Sequence, residues 1–238
     1  MIRKASLLFI GMLFLSTSSS AMAEEKGFVS LIQGNTLEGW IQHGGVAKYT
    51  VKDGVITGTA VPNTPNSFLC TKRHYADFIL EVEFKVDPEL NSGIQIRSHV
   101  FDKPTLVNFK TANGKQRQRK IPAGRVHGYQ VEIDPSKRAW SGGIYDEGRR
   151  GWLYNLAGDK HAKARAAFKQ GKWNHYRVEA RGDRIKTWIN GVPAADLKDG
   201  MTASGFIALQ VHGVGRNPER AGKQVHWRNI RIRELKSR

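Results

Sequence analysis

Residues 127–134, HGYQVEID, decide how the rest of the chain is read. Tyr129, Val131 and Ile133 alternate with Gln130, Glu132 and Asp134, the period-2 pattern of a strand with one apolar and one polar face. The polar row of an ordinary strand is Lys, Thr or Ser, and it meets only water. Here it is an amide and two carboxylates, and the Gly-rich run WSGGIYDEGRRGW at 140–152 follows at once. The pattern predicts a strand that forms the floor of a site.

Similar alternation recurs on both sides of it. Residues 77–86, DFILEVEFKV, put Leu80, Val82 and Phe84 on one side and Glu81, Glu83 and Lys85 on the other. An Asn91-Ser92-Gly93 turn leads to Ile94 and Ile96, with Gln95 and Arg97 pointing oppositely. Residues 205–211 set Ile207, Leu209 and Val211 against Ala208, Gln210 and, continuing outward, His212. Residues 49–58 read as a hairpin around Asp53-Gly54, 173–180 and 183–190 as another, and 225–234 as a final strand. The chain shows no long helix and no internal repeat. Many strands at short spacing predict an all-β, single-domain jelly-roll sandwich of two antiparallel sheets. Two stretches break the rhythm. Residues 99–125 hold Lys103, Lys110, Lys115, Arg117, Arg119, Lys120 and Arg125 against one acid, Asp102, and read as a long loop. Residues 147–172 form a second insertion with a short helix expected at 161–169.

The ends and the composition bound the function. Arg3 and Lys4 precede an apolar run at 7–15, and Ala21-Met22-Ala23 follows a Ser/Thr-rich stretch. That is the form of a secretory signal peptide over residues 1–23, with the domain over 24–238 and a periplasmic or extracellular destination. The apolar run is shorter than the ~20 residues of a membrane span, so no stable membrane insertion is expected. Cys70 is the one cysteine; it cannot form an intramolecular disulfide, and its apolar setting predicts a small core residue. The formal net charge is +17, or +15 without Arg3 and Lys4, a field that favours anionic partners. Export and the lack of any nucleic-acid motif argue against a nucleic-acid role.

If the strands share one sheet, their polar rows collect Glu83, Gln95, Arg97, Gln130, Glu132, Asp134, Tyr145, Gln210 and His212 on one concave face. Amides, carboxylates, a guanidinium and an imidazole together suit the donors and acceptors of a sugar. Trp140, Tyr145 and Trp152 offer flat surfaces for a pyranose ring. Bland readings stand beside these: Arg97 and Glu132 neutralising each other, Glu81 and Glu83 merely solvated, Asp134 starting a turn before Pro135. The remaining histidines have no spacing for a zinc site, whereas a calcium ion on loop carbonyls and an Asp is compatible with the sequence.

Several motifs carry a resemblance. LIQGNTLEGW at 31–40, VKDGVITG at 51–58, Asp77-Phe78, NSGI at 91–94 with Arg97, GYQVEID at 128–134, GKWN at 171–174, WING at 188–191, GFIALQ at 205–210 and Arg228-Asn229-Ile230 resemble the 3-keto-disaccharide hydrolase family. The resemblance runs from about residue 28 to 235 and implies a concanavalin-like jelly roll. It also implies cleavage of small glycosides or oligosaccharides already oxidised to a ketone at sugar carbon 3. Many members carry Glu then Gln in the central strand, where this chain has Gln130 then Glu132. On this reading Glu132 is the base, Arg97 and His212 serve the carbonyl or the leaving group, and Gln95, Gln130, Tyr145 and Gln210 position the substrate, with Asp134, Trp152 and Glu83 nearby. Alternatives are a non-catalytic carbohydrate-binding domain, a two-carboxylate glycosidase, for which Ser136 stands where a second carboxylate belongs, and a binder of anionic polymers.

Overall fold

The structure, a computed structural model, describes residues 27–111 and 114–236. The leader expected over residues 1–23 lies outside the described residues. The chain begins with β1 (Val29–Ser30), β2 (Trp40–Gly44), β3 (Lys48–Lys52), β4 (Val55–Thr59), β5 (Ser67–Thr71) and β6 (Phe78–Val86). It continues through β7 (Ser92–His99), β8 (Thr105–Lys110), β9 (Gln116–Ile121), β10 (His127–Ile133), β11 (Ile144–Glu147) and β12 (Gly151–Tyr154). A short helix, α1 (Ala162–Ala167), precedes β13 (Asn174–Arg181), β14 (Arg184–Ile189), β15 (Val192–Lys198), β16 (Phe206–Val211) and β17 (Gln224–Glu234).

Two large antiparallel sheets result, stacked as a jelly-roll sandwich. The front sheet runs β12-β11-β10-β7-β16-β5-β2; the back sheet runs β15-β14-β13-β6-β17-β4-β3, with β1 added along β17. Tyr129, Val131 and Ile133 from β10 and Ile94 and Ile96 from β7 share one apolar core with Leu80, Val82 and Phe84 from β6. Each such side chain, fully buried, contributes about 1.5–3 kcal/mol. This burial fixes register as well as stability, because a one-residue slip of β10 would drive Glu132 into the core. Two hairpins turn at an Asx-Gly pair: Asp53-Gly54 joins β3 to β4 with φ of 51° and 72°, and Asn190-Gly191 joins β14 to β15 with 48° and 81°. Both central residues of such a two-residue turn need positive φ, which Asn, Asp and Gly tolerate best.

Three expectations change. Residues 99–125 are not an irregular loop: β8 and β9 pair as a separate hairpin, with Phe109 opposite Arg117 and Val107 opposite Arg119. Nearly every β9 side chain is exposed, so no core-facing alternation marks this hairpin in the sequence. The helix is shorter than expected and follows a 3-10 turn at Asp159–His161. Arg97 departs from the parity of β7. Its φ is 46°, and the pairing of β7 with β10 and with β16 shifts register beside it, the mark of a bulge. Because of that extra residue Ser98, not Arg97, follows Gln95 on the outward face.

Candidate functional site

The outward face of the front sheet is hollow. A cleft of about 420 Å³ is lined by Asn66, Asn91, Arg119, Arg125, Gln130, Glu132, Arg138, Tyr145, Glu147, Gly148, Trp152, Gln210 and His212. Its floor follows from register. Gln210 of β16, Gly93 of β7 and Glu132 of β10 lie side by side across three strands, and the next row sets Gln95 beside Gln130 beside Tyr145. Gly93 has a specific use here. A Cβ at that position would sit 2.5 Å from Gln130 Cδ, so only glycine lets the Gln130 amide lie across β7.

That amide closes a chain of hydrogen bonds. Ser98 Oγ donates to Gln95 Oε1 at 2.9 Å, Gln95 Nε2 to Gln130 Oε1 at 2.5 Å, and Gln130 Nε2 to Glu132 Oε2 at 2.8 Å. From the turn before β7, Asn91 Nδ2 donates to the other carboxylate oxygen, Oε1, at 2.8 Å. Both oxygens of Glu132 are therefore held by neutral amides, and the nearest cation, Arg138, stands 3.7 Å away. Glu132 is only 5% exposed. Burial raises its pKa to about 6; Asn91 and Gln130 pull it back, Asp134 adds to the rise and Arg138 opposes it. Such a carboxylate is a stronger base than an ordinary one and remains mostly ionised at neutral pH.

Around this base the cleft offers polar groups without internal partners. Both amide atoms of Gln210 are buried and hydrogen-bond to nothing among the described residues. Such an amide is costly to bury alone and points to a ligand. The His212 ring places Nδ1 2.8 Å from the carbonyl oxygen of Gly213; donating from Nδ1 leaves Nε2 as the ring's free acceptor when neutral. Tyr145 and Trp152 pack edge to face at 5.4 Å and form an aromatic wall. Arg138 lies over Trp152 and Trp140, 5.2 and 4.6 Å from the ring centroids. Trp140 thus supports the wall from behind.

Glu132, Gln130, Tyr145, Trp152, Gln210 and His212 come together at the cleft, and Gln95 lies beneath it as part of the amide chain. Three predicted residues do not join them. Arg97 is fully buried at the end of the sandwich, where it donates to Ala76 O and Gly182 O at 2.7 Å and to Asp77 Oδ1 at 2.9 Å. Its bulge turns it away from Glu132, so the two do not pair. Glu83 belongs to the back sheet, because β6 does, and there it accepts from Arg228 at 2.7 Å and Asn229 at 2.9 Å. Asp134 is taken up by its turn, accepting from Ser136, Trp140 N and Arg138 Nε. Burial works to raise its pKa, but Ser136, Arg138 and the Trp140 amide outweigh it and hold it low.

The sequence pattern does not assign Asn91, Arg138, Arg119, Arg125 and Glu147 to the cleft they line. Glu147 ends the short strand β11, and the others sit in turns or in the basic hairpin, where no period marks which side chain faces the cleft. Among the described residues no group of three or more His, Cys, Asp or Glu is placed to hold a metal ion. Cys70 is buried, as expected, and burial pushes its thiol pKa up. Among the described residues no helix is long and apolar enough to cross a membrane.

The fold recurs in solved structures. A proposed glycosyl hydrolase from Parabacteroides distasonis superposes with a TM-score of 0.57 at 19% identity, over 88% of this chain and 94% of its own. A carbohydrate-binding module from Bacillus subtilis gives 0.53 at 15% identity, covering 82% and 96%. A protein of unknown function with a galectin-like fold, also from Bacillus subtilis, gives 0.57 at 11%, covering 85% and 92%. At these identities the likeness is one of fold. No curated protein matches the chain. Residues 27–233 match the 3-keto-alpha-glucoside-1,2-lyase-like domain, the stretch that contains both the amide chain on Glu132 and the cleft above it, and the chain belongs to that family.

Proposed function

We propose that this protein cleaves 3-oxo-glycosides by removing the proton at sugar carbon 2 and expelling the group at carbon 1. The observation that carries this reading is Glu132: a buried carboxylate, oriented by two amides and raised to about 6, at the floor of a cleft suited to a sugar. Membership in a glycoside-acting family supports it. A ketone at carbon 3 acidifies the neighbouring C2–H. Glu132 takes that proton, and the C2–H electron pair moves onto the carbonyl oxygen as an enolate. The enolate then collapses: C3=O re-forms, a C1=C2 double bond forms, and the C1–O bond breaks with its electrons on the departing oxygen. That oxygen picks up a proton, and water can afterwards add at carbon 1. Gln210 is the group free to donate to the carbonyl or leaving oxygen, a role that gains strength as charge develops there, while His212 Nε2 is free to accept from a sugar hydroxyl. Tyr145 and Trp152 hold the ring.

The deciding experiment uses a 3-oxo-disaccharide carrying deuterium at carbon 2 of the oxidised unit. The expected result is release of the second sugar, loss of the label to solvent and a slower reaction than with hydrogen. Sugar release with the label retained would replace this chemistry with direct displacement. Binding without release would favour a carbohydrate-binding domain, a role that relatives of this fold also carry. We further propose that residues 1–23 direct export; a secreted product that begins at Glu24 is the expected outcome of N-terminal sequencing.

A further inference from the structure

The cleft wall farthest from Glu132 is basic, and one element makes it so. The β8–β9 hairpin and the segment after it bring Arg119 and Arg125 to the lining. Arg125 pairs with Glu147. Arg119 has no carboxylate partner among the described residues; its Nη1 donates to the carbonyl of Arg149 at 2.7 Å, which holds the guanidinium in place. In the hairpin register Val107 faces Arg119 and Phe109 faces Arg117, so these four share one face of the ribbon. Arg119 brings that face to the cleft, and the other three continue it away from the lining as an apolar and cationic strip.

Distance assigns the strip to a particular part of the ligand. Gly128, which pairs with Glu147, lies four residues along β10 from Glu132, or roughly 13 Å at the usual strand rise, and Arg125 and Arg119 are held at that end through Glu147 and the Arg149 carbonyl. A group on the reacting ring does not reach so far from a base that must touch its carbon 2. The unit linked through carbon 1 does. Resting on the reading of Glu132 given above, we propose that the departing unit carries a carboxylate or sulfate, and that Arg119 selects it. Arginine suits the task because its planar fork can donate two hydrogen bonds to one such group. Phe109 and Arg117 then contact the outer edge of the same unit.

The test compares three substrates with the same 3-oxo-glucosyl unit, linked to glucose, to glucuronate or to a sulfated glucose, at low and high salt. The unaltered chain is set beside Arg119→Gln, Arg119→Lys and Lys120→Gln. Lys120 points to the opposite face of the ribbon, beside Leu106, and its loss removes the same charge. The expected result is a preference of about tenfold or more for an acidic substrate, mainly in KM and weakened by salt. Arg119→Gln abolishes it, Arg119→Lys keeps part of it, and Lys120→Gln leaves it intact. The two acidic arms tell carboxylate from sulfate. Equal kcat/KM for neutral and acidic substrates overturns the proposal while the cleavage reading stands. So does an Arg119→Gln variant that slows all substrates alike, which is the mark of a structural role. If nothing is cleaved, the cleavage reading fails, and calorimetry with the unoxidised glucose- and glucuronate-linked disaccharides decides the rest. Tighter binding of the acidic one, lost in Arg119→Gln, upholds the subsite; equal or absent binding overturns it.

Discussion

The outward faces of the two sheets look alike in sequence and behave as opposites. Each presents carboxylates in an alternating row, and the hollow on the back sheet, about 560 Å³, is larger than the cleft at about 420 Å³. On the back sheet Glu81 accepts from Arg177 at 2.7 Å and from Arg231 at 2.5 and 2.9 Å. Burial works to raise the Glu81 pKa, but the bonds from Arg231 and Arg177 outweigh it and the group is held below its ordinary value. On the front sheet Glu132 is as little exposed but lies deeper; desolvation weighs more on it, its donors are amides, and its pKa rises. The lesson is that a carboxylate becomes a base or a structural anchor according to how deeply it is desolvated and whether its donors carry charge. Size of the hollow does not decide it.

The hardest test of this contrast removes each carboxylate in turn. Glu132→Gln is expected to lower kcat on a 3-oxo-glycoside by about 10³-fold, roughly 4 kcal/mol in the barrier, with KM little changed. Glu81→Gln is expected to leave kcat within about twofold. Comparable losses in the two variants would erase the distinction between the faces.

Arg97 sharpens the same contrast from the other side, since it is the charge that parity wrongly assigned to the cleft. Replacing it by Met strips the carbonyls of Ala76 and Gly182 of its bonds and leaves Asp77 Oδ1 with the Gly182 amide and no cation. A loss of about 3 kcal/mol in stability is expected, read from denaturant midpoints, because one partner of a buried pair is then stranded. Whatever fraction remains folded is expected to keep its KM. A folded variant with normal stability and a raised KM would return Arg97 to the site.

The sandwich and half of the cleft are legible in the sequence for one reason, the alternation of β10, of β16 and of β7 up to Ile96. Parity placed Gln130, Glu132, Gln95 and Gln210 on one face because the strands alternate without a break over these residues and their core side is apolar. It failed where alternation carries no information. The bulge at Arg97 inserts a residue that leaves no trace in hydrophobicity. Assignment of β6 to the back sheet is a matter of topology, which parity within a strand does not reveal. Asn91 and Arg138 act from turns, and Arg119 from a ribbon with no buried face.

A smaller effect follows from proton linkage, and the two carboxylates predict opposite signs. Glu132 titrates near 6 in the folded chain against about 4.5 unfolded, so the folded state holds the proton longer. Its contribution is most favourable below pH 4.5 and is lost as pH rises through 6, on the order of 2 kcal/mol in all. Glu81 is held low, so its contribution is present at neutral pH and is lost as acid protonates it in the folded state. Melting curves between pH 4 and 7 are expected to show Glu132→Gln gaining on the parent chain by about 2 kcal/mol as pH rises, on top of a pH-independent cost from its new amide facing the Asn91 and Gln130 donors. Glu81→Gln is expected to fall behind over the same range. Parallel curves for the two variants would show that their partners do not set their charge.

The mildest and most specific test leaves every ionisable group in place. Gly93→Ala puts a methyl 2.5 Å from Gln130 Cδ and 2.7 Å from its Nε2, and the Gln130 side chain must move off the strand. Glu132 then keeps its burial and its Asn91 bond but loses the amide on Oε2. Two consequences follow together. With one fewer donor favouring the charged form, the Glu132 pKa moves further above its present value, so the rise of kcat/KM with pH shifts to higher pH. The carboxylate also loses the contact that aims it, which is expected to cost about tenfold in kcat at the plateau, or about 1.4 kcal/mol. A double change, Gly93→Ala with Gln130→Ala, separates the causes: removing the displaced amide relieves the crowding while the donor stays absent. If the double variant recovers the rate, crowding alone was at fault and the amide does not orient the base. If it stays slow with the same shifted profile, the neutral donor is part of what distinguishes the front carboxylate from the back one.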